Sequence, residues 1–291
     1  MITEKTFWIV GGDQRQAYLA QSLARDGHRV FTYGLEQASH LTPGCTICTC
    51  PHGIEHAHCV VFPLPLCSGP DTLNAPLSHE GHALSSLVAL LHPHQQVFAG
   101  RISRDWEDTF ALCGLEVCDY FAREELTVAN AVATAEGAVQ LAMEELPITI
   151  QGLELLVLGY GRVGKLTAQR FAALGAQVSV AARSCQQRAW AQANGHFTLP
   201  LDAINTVLGG CELIINTIPA PVLTHDCLTM LRPDALILDL ASLPGGVDWD
   251  CAARLGLRAI HALALPGKVA PASAGGYIRD TIYNILRQRG K

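Results

Sequence analysis

The chain has 291 residues, 49% of them hydrophobic and only 16% charged, which excludes the disordered class and leads us to expect about two globular domains. Lys and Arg number 20 against 26 Asp and Glu, a net charge of −6, so there is no basic footprint for nucleic acid or anionic lipid. No apolar run approaches the ~18 residues of a membrane span, and Met1 to Gly12 lacks the regions of a signal peptide. A cytoplasmic location is expected, where an odd count of 11 cysteines reads as free thiols.

In chain order, Phe7-Trp8-Ile9-Val10 is an apolar run broken by Gly11-Gly12. Helical spacing follows at Ala17, Ala20 and Leu23-Ala24, and Arg29 to Tyr33 is the next strand candidate, giving a β-α-β opening. Strand-like pieces recur at Cys59–Phe62, Val97–Ala99 and Leu115–Val117, separated by helical patterns at Leu84–Leu91 and Trp106–Cys113. A longer helix is predicted from about Val128 to Glu145, ended by Pro147. Next, Leu153–Leu158 reads as a buried strand running into Gly159-Tyr160-Gly161-Arg162-Val163-Gly164, a helix from Lys165 to Leu174 ending at Gly175, and a strand from Gln177 to Ala181. This is a βαβ unit of about 30 residues. The fold class is therefore α/β, with two Rossmann-like domains of parallel sheets joined by a long connecting helix. Residues 1–127 form a Rossmann-like or flavodoxin-like substrate domain, 128–271 carry the connecting helix and the dinucleotide-binding domain, and 272–291 form a C-terminal helix free to pack back on the first domain.

The segment Gly159 to Gly164 has the G-x-G-x-x-G spacing in the context the motif requires: one glycine for the turn, one for close approach to a pyrophosphate and one for helix–strand packing. The helix N-terminus then offers unpaired N–H groups to phosphate. Where an NAD-binding unit ends its second strand in Asp or Glu, this one presents Ala182-Arg183-Ser184, and a guanidinium with a hydroxyl suits a 2′-phosphate, so NADP is the expected cofactor. Thr217-Ile218-Pro219 and Ala241-Ser242 follow two later strands and are expected to line the nicotinamide side. A structural turn, a solvated arginine and ordinary loop chemistry are the competing readings.

Cys45, Cys48, Cys50, His52, His56, His58 and Cys59 crowd into 15 positions, and C-x2-C followed by His is a spacing zinc accepts. No second C-x2-C completes the set, and Cys50 and Cys59 fall near strand candidates, so incidental thiols and no metal site are expected.

Taken together, Gly11-Gly12-Asp13-Gln14-Arg15-Gln16, Thr134-Ala135-Glu136-Gly137, the glycine motif, Phe171–Ala176, Ala182-Arg183-Ser184, Asn216–Pro219, Asp239–Ser242 with Pro244-Gly245-Gly246, and Leu265-Pro266-Gly267 resemble the family of dipicolinate synthase A subunits over nearly the whole chain. The resemblance implies a mother-cell enzyme of a spore-forming bacterium. With a flavoprotein-like B subunit it makes pyridine-2,6-dicarboxylate from a lysine-pathway product, by NADP-dependent dehydrogenation of dihydro- or hydroxytetrahydro-dipicolinate. A substrate with two carboxylates needs cationic or N–H donors at both ends. Arg15, just past a strand end, is the first candidate, and Lys268 the second, as anchor or proton acceptor. Asp13 is placed to orient Arg15, Glu136 is a candidate acid or base, and Thr134 and Ser242 are candidate hydrogen-bonding partners of substrate. For the two cations and Glu136 the competing reading is a solvated surface charge. The chain departs from the family at Ala272 and Leu243, where basic residues are common.

Three alternatives stand beside this. A D-2-hydroxyacid dehydrogenase shares the architecture, but it wants an arginine after the Asp239 strand and a histidine near the end of the domain, where Leu243 and Gly267-Lys268 stand. The Cys/His stretch supports a metal or redox protein. A non-catalytic dinucleotide-binding regulator would bind cofactor without turnover. Homo-oligomerisation is left open.

Overall fold

A computed structural model of the chain describes residues 3–38, 41 and 44–290. The start of the Met1–Gly12 stretch and Lys291, at the end of the 272–291 helix, lie outside the described residues. The chain divides into two compact units, one formed by residues up to Ala129 together with those from Ala270, the other by Asn130–Val269.

In the first unit, β1 (Thr6–Val10) is an aromatic and β-branched run with its last four residues buried, the pattern of a strand covered on both faces. Gly11 (φ 65°) and Gly12 (φ 98°) turn the chain into α1 (Gln14–Arg25), whose N-cap Asp13 accepts from Arg15 N. β2 (Arg29–Tyr33), β3 (Cys45–Cys48) and β4 (Cys59–Val61) follow, then an excursion containing a small antiparallel hairpin, β5 (Cys67–Gly69) and β6 (Thr72–Leu73). The short helix α2 (Leu84–Val88), β7 (Gln96–Ala99), α3 (Arg104–Leu112) and β8 (Val117–Asp119) complete a parallel sheet in the order β3-β2-β1-β4-β7-β8. The last strand begins two residues later than its apolar pattern suggests. Gly114 (φ 72°) reverses the chain and Leu115, buried, donates its N–H to Phe110 O, so it ends the helix instead of opening the strand.

The connecting helix, α4 (Glu124–Glu145), starts four residues before Val128, because Glu124 and Glu125 suit the positive end of a helix although they carry no apolar signal. The boundary between the units falls inside it.

The second unit runs β9 (Glu154–Leu158), α5 (Arg162–Ala173), β10 (Gln177–Ala182), α6 (Cys185–Ala193), β11 (Phe197–Pro200), β12 (Leu213–Asn216), α7 (His225–Leu228), β13 (Leu236–Asp239), α8 (Trp249–Arg254), β14 (Arg258–His261) and α9 (Leu265–Val269). Its sheet is parallel throughout, in the order β11-β10-β9-β12-β13-β14. One core, with Leu155, Val157, Phe171 and Ala142 of α4, fills one face of this sheet, and Leu156, Leu158, Ile214 and Ile237 fill the other.

Finally α10 (Pro271–Gln288) belongs to the first unit and lies along α1. Gly275 makes the approach possible, since a Cβ there would stand 2.6 Å from Arg15 O and 2.8 Å from Leu19 N. Ile278, Ile282, Ile285 and Leu286 share a core with Leu19 and Leu23.

Candidate functional site

In both sheets the strand order reverses beside the first strand, and in open α/β sheets ligands sit outside the carboxyl ends at such a point. In the second unit this is the turn after β9. Gly159 has φ 91°, and a Cβ there would stand 2.5 Å from Thr217 Oγ1, so only glycine makes this turn. A Cβ at Gly164 would collide with Gly159 O, which fixes the close packing of helix on strand. Between them Gly161 is exposed and has nothing within 4 Å of a built Cβ, and as N-cap of α5 it supplies no side-chain acceptor to the first-turn N–H groups. An open, uncapped helix N-terminus with two sterically obligatory glycines fits a pyrophosphate.

Around this turn the predicted residues have distinct surroundings. Tyr160 is buried with its hydroxyl accepting from Asn194 Nδ2 at 3.0 Å, which leaves only its backbone to face a cofactor. Arg162 is exposed and Val163 half-buried. Lys165 lies 5.9 Å from the Tyr160 ring and 6.0 Å from the exposed Trp190 ring. At the end of β10, Arg183 is exposed, and Ser184 Oγ caps α6 by accepting from Gln187 N at 3.4 Å. Thr217 Oγ1 donates to Leu158 O at 2.8 Å, tying the β12 loop to the glycine turn, while Ile218 is half-buried and Pro219 exposed.

Ala241 and Ser242 owe their position to Asp239. This fully buried carboxylate accepts from Asn216 Nδ2 (2.8 Å), Ala241 N (3.0 Å) and Gly246 N (2.8 Å), so the loop after β13 is wound around it. Gly245 (φ 84°) is required because a Cβ would stand 2.6 Å from Asp239 Oδ2. His261 Nε2 donates to Ala241 O at 3.0 Å and its ring stacks on Trp249. Ser242 is exposed on this loop, as is Leu243.

Of the remaining candidates, Asp13 and Arg15 belong to the first unit, while Thr134, Glu136 and Lys268 belong to the second. Arg15 Nε and Nη2 form a bidentate pair with Asp13, and Nη2 also donates to Leu64 O at 2.6 Å. The guanidinium is about nine-tenths buried, and among the described residues its Nη1 has no partner. Thr134 Oγ1 donates back along its helix to Asn130 O, Glu136 is exposed with Arg170 at 3.8 Å, and Lys268 is exposed. Among the described residues no three His, Cys, Asp or Glu side chains gather to hold a metal, the Cys45–Cys59 stretch included.

The sequence reading passed over two features. Arg188 reaches back from α6 to the carbonyls that end β10, and the only signal for it was a second basic residue in a segment without acids. The carboxylate at Asp239 was legible as a strand end but not as the hub of its loop.

Comparison with known proteins places these features. Residues 6–121 match the family described as the N-terminal domain of the dipicolinate synthase A subunit, and residues 121–239 match that described as D-isomer specific 2-hydroxyacid dehydrogenase, NAD binding domain. The dipicolinate synthase A subunit of Bacillus subtilis (strain 168) is 30% identical over 290 residues, covering 99% of this chain and 98% of that protein. The crystal structure of the dipicolinate synthase A subunit from Bacillus halodurans superposes with a TM-score of 0.89 at 28% identity, covering 98% of this chain and 99% of the other. The crystal structure of its Bacillus subtilis counterpart gives 0.86 at 30%, covering 99% and 97%. The second unit is thus a nicotinamide-dinucleotide domain of the dehydrogenase type.

Proposed function

Because the chain belongs to the family of dipicolinate synthase A subunits, we propose that it carries out the NADP-dependent dehydrogenation of dihydro- or hydroxytetrahydro-dipicolinate to pyridine-2,6-dicarboxylate. It does so with a flavoprotein-like B subunit, in the mother cell of a spore-forming bacterium. The observation that carries the reading is the turn at Gly159–Gly164, where two glycines have no room for a side chain and the one between them faces open space.

NADP, when bound, supplies a hydride acceptor, and formation of an aromatic ring provides the drive. The protein therefore has to orient and polarise. Arg15 is suited to hold one substrate carboxylate: its Nε edge is locked by Asp13, so a guanidinium already ordered offers its remaining N–H groups without further loss of rotamer freedom. Lys268 holds the second carboxylate or, when neutral, takes the ring proton. Thr134 and Ser242 hydrogen-bond substrate, and Glu136, with Arg170 at 3.8 Å, relays a proton. When the substrate still carries a hydroxyl, water leaves before the hydride and proton do. Arg183 and Ser184 receive the 2′-phosphate, which is why NADP is favoured over NAD.

A 2-hydroxyacid dehydrogenase activity is less well supported despite the family match of the dinucleotide domain. The loop after β13 carries Leu243 where that chemistry wants a guanidinium, and His261 is engaged with Ala241 O and Trp249.

The test mixes the purified chain with NADP⁺ and freshly made hydroxytetrahydrodipicolinate, with and without a B subunit, following pyridine-dicarboxylate absorbance and NADPH together. Turnover that needs the partner for its full rate is expected. Full turnover by this chain alone, unchanged by the partner, removes the reading of a two-component enzyme, and binding of cofactor without any turnover makes the chain a regulator.

A further inference from the structure

Backbone carbonyl oxygens that no donor covers repel a phosphate, because both are negatively polarised hydrogen-bond acceptors. At the end of β10 this chain covers them. Arg188, one turn into α6, folds back so that Nη1 donates to Ala182 O at 2.7 Å and to Arg183 O at 2.9 Å, and Nη2 reaches Cys185 Sγ at 3.2 Å. These contacts use up to three of the five N–H groups of a guanidinium and fix its charge at the strand end. Arg183, by contrast, is exposed and, among the described residues, its side chain makes no hydrogen bond or ion pair. From Gln177 to Leu201 the sequence contains neither Asp nor Glu, so no carboxylate of this segment neutralises the pair.

We propose that Arg188 is a specificity-determining residue for the cofactor, the fixed half of a two-arginine seat for the adenosine 2′-phosphate, with Arg183 as its mobile half. The inference rests on the NADP reading above and deepens it, since that reading assigned the selectivity to Arg183 and Ser184 alone. Arg188 acts in two ways: it masks the two carbonyls that would repel a dianion, and it adds a charge whose position is set before the cofactor arrives. Arg183 then closes on the phosphate from solvent. Cys185, in contact with Arg188 and exposed at the first position of α6, marks the place.

Equilibrium titrations of the whole chain with NADP, NAD, 2′,5′-ADP and 5′-AMP test this. Arg188→Gln is expected to weaken NADP and 2′,5′-ADP about tenfold while NAD and 5′-AMP change less than about twofold. Arg188→Lys, which keeps the charge but cannot clamp two carbonyls, should fall between the two. In the wild type, 2′,5′-ADP should slow alkylation of Cys185, read by mass spectrometry of its peptide, and 5′-AMP should not. Arg188→Gln that weakens all four ligands alike, or none, overturns the proposal, as does a Cys185 thiol protected equally by both fragments. A wild type that binds NADP and NAD equally overturns the NADP reading and this pair with it. A preference abolished by Arg183→Gln but untouched by Arg188→Gln overturns the pair alone.

Discussion

The two units are built on the same strand order, and each turns from its first strand into a helix through glycines, yet the two turns have been put to opposite uses. In the second unit the N-terminus of α5 is open: a Cβ built at Gly161 meets nothing within 4 Å among the described residues, and Gly161 as N-cap brings no side chain to the first turn. In the first unit the equivalent end of α1 is closed. Asp13 caps it, Gly12 N donates to Asn74 O at 2.8 Å, and a Cβ at Gly11 would stand 2.7 Å from Leu73 Cδ2, so the excursion after β4 occupies the ground a pyrophosphate would need. Topology supplies a place for a ligand, and the loops decide whether that place holds a phosphate or, as here, a buried arginine.

The comparison breaks most sharply at Arg15. Arg15→Ala should cost roughly 2–4 kcal/mol of transition-state stabilisation, about 30- to 1000-fold in kcat/KM, with the dinucleotide dissociation constant nearly unchanged. Lys268→Ala should move in the same direction. Wild-type kinetics in either variant would show that the residue does not hold substrate.

Next come the glycines. Gly161→Val puts a side chain into open space, so the free protein should keep its melting temperature while dinucleotide affinity falls roughly 100-fold. Gly12→Ala should do the reverse. Its φ of 98° and the contacts with Gln16 and Pro63 predict a stability loss of about 1–3 kcal/mol without a change in dinucleotide affinity. Thermal melts and titrations on the two proteins decide whether the turns differ as described.

At the end of β10, in the same unit as the open turn, Arg183→Ala should reduce the NADP preference, expected to be about 10- to 100-fold in the unmodified protein, and leave NAD nearly untouched. The preference should also shrink as salt is added. Equal binding of both cofactors at low ionic strength by the unmodified chain would sink this assignment.

The smallest effect treats the units alike. His28 in the first and His196 in the second are held below the ordinary histidine value of 6.5, in each case chiefly by burial. A histidine kept neutral in the fold contributes stability that is fully present above its unfolded value and is lost as pH falls below it. Melting temperature should therefore drop as pH falls below about 6.5, and His196→Gln should flatten the profile. Parallel profiles for variant and wild type would show that this ring does not contribute.

The parts of this organisation that were legible in the sequence are those written locally. The alternating strands and helices pointed to the two parallel sheets, and Gly159 to Gly164 to the dinucleotide turn, because that motif carries its spacing and its flanking strand and helix within a few residues. What escaped was long-range. The closing of α1 depends on Asn74 and Leu73, some sixty residues downstream, and nothing in Gly11-Gly12-Asp13 distinguishes a capped helix from an open one. The hub at Asp239 draws on Asn216 in a different strand, and Arg188 acts on carbonyl groups, which carry no side-chain signature at all. The late start of β8 and the early start of α4 were missed for a related reason, since in both places a terminus is set by hydrogen bonding and charge while the apolar pattern points elsewhere.

The seam between α1 and α10 bears on how the molecule is made. The second unit is one continuous stretch, Asn130–Val269, whereas the first needs the helix that begins at Pro271, which is synthesised after all of the second. A ribosome delivers the chain from its N-terminus, so the unit begun first is finished last. Until Ile278, Ile282 and Ile285 emerge, α1 keeps Leu19 and Leu23 without the face that covers them, and the nascent first unit waits at a time when the dinucleotide domain already has all of its own residues.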